Sequence, residues 1–446
     1  MSDTATETSA AARTVEGISA LLEDGHVPNF IYNDADVFEL EQRKLFGRAW
    51  VFLAHHSELP EPGDFVVRYI ANDSVIVARG NDGEIRAFLN SCRHRGAKLC
   101  NAEMGRARAF TCIYHGWTYD RAGNLTGVPF GRQIYQGLDK AELGLLPVAQ
   151  VDEIEGFVFG CLDPAAPSLR DYVGDFAPYL QLVTRRSAAG LEVAGPPQRW
   201  VVGSDWKISA ENFVGDAYHT PYSHHSTYEI GLMGYSSRDT MPGGPKTGFH
   251  VQAGNGDMAM ARRARENEMG YPEGTFDTFR TQASPEVVRM FDEGVGDGSG
   301  SWPTRWHLFP NLSSLNLPVM IDGEIVPFLT IRLWQPKGPG VTEVLSWCLV
   351  EADAPEEFKQ RSRRAYTASF GPSGMFEQDD MENWRTISRS AKGAHTRDTP
   401  QYVRMGEGQE IRPIAGWPVP GTVWPTQYTD IPAKTFLRRW ASWLSQ

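Results

Sequence analysis

Two short stretches, Cys92-Arg93-His94-Arg95-Gly96 and Cys112-Ile113-Tyr114-His115-Gly116-Trp117, decide how this sequence is interpreted. Each stretch carries one thiol and one imidazole within reach of a single centre. The residues from Arg95 to Thr111 are enough for a hairpin that returns the second pair beside the first. Thiolates and imidazoles are both metal ligands in proteins. The sequence therefore predicts a metal centre held by Cys92, His94, Cys112 and His115.

The mixed composition of each pair separates two kinds of metal centre. Two Cys on one iron and two His on the other are the ligand set of a Rieske [2Fe–2S] cluster, whose potential lies at roughly −150 to +300 mV, against about −400 mV for an all-thiolate cluster. A zinc site with two Cys and two His is the alternative, but zinc fingers pair like with like. Because each pair mixes Cys with His and lies beside a glycine, we favour the Rieske cluster. Its potential suits an electron relay.

Composition bounds the remaining possibilities. The chain has 446 residues, 41% of them hydrophobic, which is enough for two or three domains with sizeable cores. A net charge of −12 without a basic stripe argues against nucleic acid as a partner, and no apolar run reaches the ~20 residues that span a bilayer. Cys100, Cys161 and Cys348 are expected to be small buried residues rather than ligands or disulfide partners. We expect Met1–Thr14 to be disordered, not a signal peptide, and the protein to be cytoplasmic.

The hydrophobic pattern predicts an all-β domain over residues 38–160, which carries the cluster ligands on its loops. Alternating runs bounded by turn residues predict its strands, namely Phe65–Ile70, Ser74–Arg79, Glu84–Asn90, Ala107–Ile113 and Gly156–Cys161. A short helix is expected at Leu40–Leu53. Residues 1–37 are expected to pack with the domain that follows the cluster domain.

Residues 161–446 predict a larger α+β domain with an antiparallel sheet. Three long runs separated by turn residues predict a meander: His307–Met320, Glu324–Gln335 and Thr342–Val350. A strand at Val201–Ile208 should lead into a helix from Ala210, and further helices are expected at Pro355–Phe370 and Glu377–Ser390. Residues 231–300 contain many Gly, Met and charged residues, which predicts irregular lid segments.

Four sequence boxes resemble one known family. They are C-R-H-R-G, C-I-Y-H-G-W, E-N-F-V-G-D-A-Y-H (211–219) and F-E-Q-D-D-M-E-N-W (376–384). Together they resemble the large, α subunit of Rieske non-haem iron ring-hydroxylating dioxygenases of the naphthalene and polycyclic-arene type. The resemblance runs from about Phe30 to about Trp440. It implies an all-β Rieske domain followed by a helix-grip catalytic domain that binds mononuclear Fe(II).

The resemblance also implies the iron ligands His219, His224 and Asp380, a set of two His and one carboxylate that is typical of non-haem Fe(II) oxygenases. His225 is a rival second histidine, because relatives exist with either spacing, and both stay open. Residues five apart on a regular helix point about 140° apart, so we expect a bend or a π-bulge there, with Pro221 as its cause. For Asp379-Asp380 the alternative is a solvated helix face.

Further residues take their expected roles from the same boxes. Asp216 matches the carboxylate that links His219 to His94 of the partner subunit and orients both rings. Asn212 and Phe213 are expected near the iron. Arg305 could recognise a substrate carboxylate or turn outward. The side chains expected to line the substrate pocket, or else to belong to the ordinary core, are those of Leu315, Phe370 and Phe376.

The activity that the resemblance implies is a terminal oxygenase. Electrons from NAD(P)H would arrive through a reductase, with a ferredoxin where one is present, and O2 would convert an arene to a cis-dihydrodiol. An α3β3 assembly with a small β subunit is expected, although a ring of α subunits alone would also serve. The alternatives are a Rieske monooxygenase or demethylase, a phthalate-type dioxygenase of aromatic carboxylates, a Rieske electron carrier, and an assembly subunit without iron. The sequence leaves the arene and its ring positions open.

Overall fold

In a computed structural model, the chain is described over residues 15–234, 248–262, 269–294, 300–407 and 411–446. The chain divides into two compact units: the cluster unit, Phe46–Leu169, and the larger unit, which joins Arg170–Gln446 to the chain before Phe46. The boundaries predicted from the sequence are 38 and 160. The later exit has a visible cause, because Trp50 Nε1 donates a hydrogen bond to the carbonyl of Pro167 at 2.9 Å. The predicted disorder of Met1–Thr14 lies outside the described residues.

The cluster unit is built from antiparallel strands, as predicted. One sheet pairs Gln150–Ile154, Phe157–Cys161 and Val51–His55, a second pairs Ile85–Leu89, Asp73–Arg79, Asp64–Ile70 and Met104–Arg106, and a third pairs Phe110–Thr111, Thr118–Tyr119 and Leu125–Gly127. Short helical turns occur at His56–Glu58, Gly131–Ile134 and Ala141–Leu143. A core that includes Phe65, Phe110 and Trp117 also contains both Cys92 and Cys112. The ligand thiols are therefore held by the core of this unit.

Two predictions for this region need correction. The helix expected at Leu40–Leu53 is a helix at Ala35–Leu40 that continues as a π-helix at Glu41–Phe46, and Val51–His55 is a fully buried strand. Continuous burial on both faces explains why the pattern misled, since a short buried strand has no period of two. The strand expected at Ala107–Ile113 shrinks to Phe110–Thr111, because the chain then turns into the second ligand loop.

A single antiparallel sheet organises the larger unit. Within the described residues its order is Leu191–Val193, Val341–Glu351, Glu324–Gly338, Leu312–Ile321, Ser301–Leu308, Gly256–Arg262, Phe249–Ala253 and Thr422–Trp424, and Gln198–Val202 also pairs with Val341–Glu351. His26–Pro28 pairs separately with Pro400–Tyr402. The predicted meander is confirmed, although its first run consists of two strands that meet at Leu308 and Leu312. The prediction of irregular structure over 231–300 is wrong in part, since two strands of this sheet lie there.

The larger unit also contains helices. In the described part of the larger unit they are Val15–Glu23, Asn29–Tyr32, Ala35–Leu40, Gly174–Phe176, Ala177–Thr184, Trp206–Gly215, Thr220–Ser223, His225–Glu229, Thr275–Gln282, Pro285–Glu293, Glu356–Phe370, Met375–Ser390, Thr396–Asp398 and Ile431–Ser445, and Leu169–Val173 begins at its boundary. Trp206–Gly215 contacts the central strands, as does Glu356–Phe370. The predicted strand Val201–Ile208 ends at Val202, because the Asp205 side chain caps the helix by accepting from Lys207 N at 3.0 Å.

Within the larger unit, a buried carboxylate helps to join the chain before Phe46 to the residues after Arg170. Glu41 accepts hydrogen bonds from Lys207 Nζ at 2.6 Å, from Trp440 Nε1 at 2.8 Å and from Trp206 Nε1 at 3.0 Å. Glu41 and Lys207 are both buried, and Asp205 Oδ1 lies 2.8 Å from the same ammonium. A buried charge needs this degree of pairing. The network therefore fixes the start of helix Trp206–Gly215, which carries Asn212 and Phe213. No helix in the described ranges combines the length and hydrophobicity that crossing a bilayer requires.

Candidate metal centres and active-site cavity

The two cysteine loops of the cluster unit have the same backbone design. In the first, Cys92 N donates to Ala97 O and Gly96 N donates to Cys92 O; in the second, Cys112 N donates to Trp117 O and Gly116 N donates to Cys112 O. Gly96 and Gly116 both have a left-handed φ, +72° and +71°. Only glycine adopts this conformation at no cost. The glycine beside each pair is thus explained: each loop turns back on its own cysteine.

The side chains of these loops have the chemistry of a cluster site. Cys92 and Cys112 are buried and free, and the Nδ1 atom of His94 is buried without a hydrogen-bond partner among the described residues. The rings of His94 and His115 lie 4.5 Å apart. A buried imidazole nitrogen without a partner is costly unless it binds something. A metal–sulfur cluster provides that partner, and these residues fit one.

A single zinc ion fits this site poorly. A site for a single metal ion needs at least three ligand atoms close together. In the part of the chain that the structure describes, this holds for His219, His224 and Asp380, whose ligand atoms all lie within 4.8 Å of one another. The four cluster residues do not converge in this way, although a tetrahedral zinc would require it. Ligands spread over two irons satisfy the same residues. The geometry therefore supports the Rieske cluster over the zinc alternative.

Three aromatic residues lie around the cluster loops without having been predicted as part of the site. Tyr119 lies with its hydroxyl 3.4 Å from Cys92 Sγ and accepts from Arg93 N at 3.0 Å. Burial, and to a smaller extent the neighbouring Cys92, raises the pKa of Tyr119 far above its ordinary value. The phenol therefore stays protonated and can donate to a thiolate. Trp117 stacks on His94 at 4.9 Å, and Tyr135 places its hydroxyl 3.3 Å from His94 Nε2. Only Trp117, within the C-I-Y-H-G-W box, carried a signal in the sequence.

The second centre forms where helix Trp206–Gly215 ends. Asp216 follows that helix with extended geometry, and the chain restarts as the short helices Thr220–Ser223 and His225–Glu229. The predicted distortion occurs as a break in the helix and not as a π-bulge, because His219 and His224 flank the short helix Thr220–Ser223 instead of sharing a continuous one. Pro221 lies in its first turn, where a missing N–H does no harm.

His219, His224 and Asp380 converge on one point. Asp380 Oδ1 lies 3.4 Å from His219 Nε2 and 3.2 Å from His224 Nε2. Their ligand atoms all lie within 4.8 Å of one another. His225 turns away, with a side chain 60% exposed and Nε2 3.5 Å from Glu229 Oε1. Of the two histidines that the spacing left open, the structure brings His224 to the carboxylate.

Each converging histidine is held from behind by a second carboxylate. His219 Nδ1 lies 3.1 Å from Asp216 Oδ2, and His224 Nδ1 lies 3.2 Å from Asp379 Oδ2. A carboxylate only accepts, so each Nδ1 carries a proton and each Nε2 is directed to the common point. Asn212 contributes through Nδ2, which lies 3.4 Å from Asp216 Oδ2 and 3.4 Å from His219 Nδ1. No separate role was predicted for Asp379, and the doubled Asp379-Asp380 was its only signal in the sequence.

The charges at this point suit a divalent cation. Burial opposes ionisation of Asp380, but His224 and His219 outweigh it and hold the pKa of this carboxyl below its ordinary value. Burial also opposes the charged form of His219, and the Asp216 carboxylate outweighs it and raises the pKa of His219 to about 10. With this pKa, His219 also carries a proton on Nε2, next to the ionised Asp380, and a metal ion bound here would replace that proton. Two His and one carboxylate with free positions opposite are the donor set of non-haem Fe(II), and these residues fit it.

A cavity of about 470 Å³ opens onto the three converging residues. The five residues predicted for the substrate pocket line it, namely Phe213, Arg305, Leu315, Phe370 and Phe376, and so do Asn212 and Asp216, for which other roles were predicted. Phe370 and Phe376 stack at 5.1 Å with ring planes 11° apart, and Phe376 also contacts the His224 ring. Most of the other lining side chains are apolar, among them Trp302, Leu317 and Val319. The cavity has the size and the lining of a small-molecule site.

One buried ion pair supports the carboxylate helix Met375–Ser390. Glu377 pairs with Arg332 of the central strand, and Arg332 also donates to the carbonyl of Phe370. Both charged side chains are fully buried. Burial raises the pKa of Glu377 to about 7, and Arg332 limits that rise. The pair therefore fixes the helix that carries Asp379 and Asp380 against the sheet.

Comparison with known proteins agrees with this geometry. Residues 49–142 match the model of the Rieske [2Fe–2S] domain, and residues 185–411 match that of the ring-hydroxylating α subunit catalytic domain. The large oxygenase component of the naphthalene 1,2-dioxygenase system of Pseudomonas fluorescens is 37% identical, over 87% of this chain and 85% of that protein. The α subunit of the N,N-dimethyl phenylurea N-demethylase of Sphingobium sp. (strain YBL2) is 35% identical, over 95% and 92%.

A solved structure gives the same result. The crystal structure of naphthalene 1,2-dioxygenase from Rhodococcus sp. superimposes with a TM-score of 0.89, at 40% identity over 98% of both chains. The predicted α+β fold, with its Rieske domain and its antiparallel catalytic sheet, is thereby confirmed. The relatives are large components or α subunits of larger systems, so the family works with partner components. The chain belongs to the family of Rieske ring-hydroxylating dioxygenase α subunits, which contain a [2Fe–2S] cluster and a mononuclear iron.

Proposed function

We propose that this chain is the catalytic α subunit of a multicomponent dioxygenase that converts an arene to a cis-dihydrodiol. One observation carries the proposal: His219, His224 and Asp380 converge in the wall of an apolar cavity that is large enough for a small arene. A protein that only carries electrons does not require a substrate cavity, and a subunit that only supports assembly does not require three converging metal ligands.

The metal ligands are assigned accordingly. His219, His224 and Asp380 would hold Fe(II), and Cys92, Cys112, His94 and His115 would hold the Rieske cluster. When bound, the cluster delivers electrons and the iron activates O2. The cluster ligand His115 is exposed, as are Ile113 and Tyr114 of its loop. Exposure of these residues supports electron entry at this edge of the cluster unit.

The chain's own residues position the reactants. Asp216 and Asp379 orient the two histidines, while Phe370, Phe376 and Leu315 form apolar walls that exclude water and favour a flat ring. Phe213 packs against Trp334 and Phe370 at ring distances of 5.0 and 6.5 Å, which keeps the wall rigid. Rigid apolar walls fix the ring relative to the ligands, and orientation of this kind is a large part of catalysis.

Asp216 is the residue we assign to electron transfer between subunits. Its carboxylate binds His219, and its side chain is 30% exposed, so a second chain can reach it. We propose that it also binds His94 of the partner subunit, in a head-to-tail ring of α subunits that small β subunits complete as α3β3. A ring closes only if each subunit presents both halves of the contact. Asn212 assists through Nδ2, which donates to Asp216 Oδ2 at 3.4 Å and so helps to hold this carboxylate toward His219.

The proposed electron source is NAD(P)H, through a reductase and, where present, a ferredoxin. We place the system in the cytoplasm, where this cofactor is available. The five cysteines agree with that choice, since all of them are free and reduced thiols persist in a reducing compartment.

Metal analysis and product analysis together test the proposal. Protein purified under anaerobic conditions with its β subunit should contain three irons and two acid-labile sulfides per α chain. Supplied with a reductase, NADH and naphthalene under 18O2, it should form a diol with two labelled oxygens. Zinc in place of iron would contradict the metal assignment, and a singly labelled phenol from every arene would contradict dioxygenation.

A monooxygenase or demethylase is the second candidate, because the N-demethylase subunit is similar over 95% of this chain. An aryl N-methyl compound would bind the same apolar cavity, and its methyl group would be released as formaldehyde. Incubation with an N,N-dimethyl arylurea distinguishes the two. Formaldehyde without any diol from arenes would favour the second candidate.

A further inference from the structure

Arg305 enters the cavity because of a local irregularity in the sheet. Strand Ser301–Leu308 pairs with Gly256–Arg262, but the register shifts between Ala259 and Met260, so that Thr304 is an extra residue. Side chains alternate between the faces of a regular strand, whereas a bulge can bring two consecutive ones to the same side. Thr304 and Arg305 both line the cavity. The sheet thus adds a cation to a cavity whose lining is mostly apolar and which a second arginine, Arg262, also lines.

The guanidinium of Arg305 has no acceptor within the described ranges for two of its nitrogens. Nε and Nη2 are both buried without a hydrogen bond. The two nearby carboxylates are committed elsewhere, since Asp216 binds His219 and Asp380 lies between His219 and His224. Burial lowers the pKa of Arg305 to about 10, and Asp216 limits that fall, so the group remains a cation at neutral pH. A desolvated cation of this kind is costly unless an anion joins it.

The two free nitrogens form one edge of the guanidinium. The N–H bonds of Nε and Nη2 run parallel, and this fork matches the two oxygens of a carboxylate. Among the described residues no hydrogen bond holds Nε or Nη2, so rotation about the side-chain torsions of Arg305 can present that edge to the cavity that the residue lines. The apolar lining meanwhile leaves the rest of the cavity suited to an aromatic ring.

We propose that Arg305 binds a carboxylate on the substrate, so that the preferred substrates of this enzyme are arenecarboxylates and not unsubstituted arenes. This proposal rests on the proposed function and names its substrate class. Arg305 is then a specificity-determining residue: it fixes one end of the substrate, and the aromatic ring occupies the apolar remainder of the cavity beside His219, His224 and Asp380.

Paired ligands that differ in one group test the proposal. The holoenzyme is titrated anaerobically with naphthalene and with 2-naphthoate, and with toluene and benzoate, so that binding is measured without turnover. The same titrations are made with Arg305→Gln, with Arg305→Lys, and with Arg289→Gln, which removes an exposed arginine from helix Pro285–Glu293. Iron content and the cluster absorbance show that each variant is folded and loaded.

The wild type should bind each carboxylate more tightly than its neutral counterpart. Arg305→Gln should weaken carboxylate binding roughly 10- to 150-fold, as expected for a hydrogen-bonded charge pair, and change neutral-arene binding by no more than about twofold. Arg305→Lys should recover part of the loss, and Arg289→Gln should match the wild type. Equal weakening of both ligands, or no change in either, would overturn the proposal. Because binding is measured without oxygen, a failure of the dioxygenase assignment would appear separately, as absence of diol.

Discussion

Asp216 and Asp379 offer a matched pair of variants that separates holding the metal from passing the electron. Each carboxylate binds the Nδ1 atom of one converging histidine, at 3.1 and 3.2 Å, and their side chains are 30% and 31% exposed. The two contacts are thus equal in length and in solvent exposure. Only Asp216 is proposed to contact a second subunit, so a difference in electron transfer from the cluster between Asp216→Ala and Asp379→Ala reports that role.

The expected loss of metal affinity follows from the contact. A hydrogen bond to a charged group contributes about 1.5–3 kcal/mol, and partial exposure reduces this to about 1–2 kcal/mol. Either substitution should therefore weaken binding of the mononuclear iron roughly 5- to 30-fold. The loss is moderate because the direct ligands remain. Titration of the metal-depleted protein with Fe(II) against a chelator measures it, and the absorbance of the Rieske cluster should not change.

Turnover at saturating iron supplies the second measurement. Asp379→Ala should then recover to within about threefold of the wild type, whereas Asp216→Ala should stay slower by at least roughly tenfold. In a single turnover, the reduced cluster of Asp216→Ala should remain reduced after substrate and O2 are added. Equal recovery of both variants would refute the electron-transfer role of Asp216. Wild-type metal affinity in both would refute the orienting role of the two carboxylates.

Three further predictions concern the catalytic helices. Asp380→Ala should lose the mononuclear iron and keep the cluster spectrum, because this ligand belongs to the larger unit; loss of both metals would contradict the assignment. Glu377→Ala should lower the free energy of unfolding at pH 8 by about 3–5 kcal/mol, because Arg332 is left buried without its partner. The control Glu382→Ala, at an exposed position, should change it by less than about 0.5 kcal/mol. Equal changes for the two variants in chemical denaturation would contradict this. Burial, with the charges of Asp216 and Asp430, raises the pKa of Glu211 to about 8 from its ordinary 4.5. As the pH rises, the unfolded chain therefore loses this proton at a lower pH than the folded chain does. Glu211 thus lowers the free energy of unfolding as the pH rises from about 4.5 to 8. Glu211→Gln should therefore melt at a higher temperature than the wild type at pH 8 and gain less at pH 5, and a pH-independent difference would exclude this cause.

The ligand motifs can be interpreted from the sequence because their chemistry is local. Cys92 to Gly96 and Cys112 to Gly116 each contain a complete turn, with its ligands and its glycine, within five residues. The meander is equally accessible, since turn residues separate three long hydrophobic runs. The prediction of a secondary-structure element was wrong where burial on both faces removed the alternation of apolar and polar residues, as in the strand Val51–His55. It was also wrong where a capping side chain started a helix earlier than predicted, as Asp205 does.

The choice between His224 and His225 could not be predicted from the sequence. Both lie at plausible distances from His219 along the chain, and only the break after Gly215 and the restart at Thr220 decide which ring meets Asp380, 156 positions further on. The roles of Asp379 and Arg332 likewise emerged only from the tertiary structure. Their partners, His224 and Glu377, are distant in the chain, and the sequence has no signal for contacts between such residues.

The amino-acid sequence alone determined the Rieske ligands and the division into a β domain and an α+β domain, because ligand chemistry within one loop and strand periodicity are properties of neighbouring residues. The mononuclear iron and its ligands followed only from the resemblance of two sequence boxes to a known family. Tertiary structure decided which histidine faces the carboxylate, which acids hold the rings in place, and that Arg305 enters the cavity. Those outcomes depend on one bulge, one helix end and several buried charges. Each is a matter of packing between distant segments, where desolvation makes an unpaired group costly.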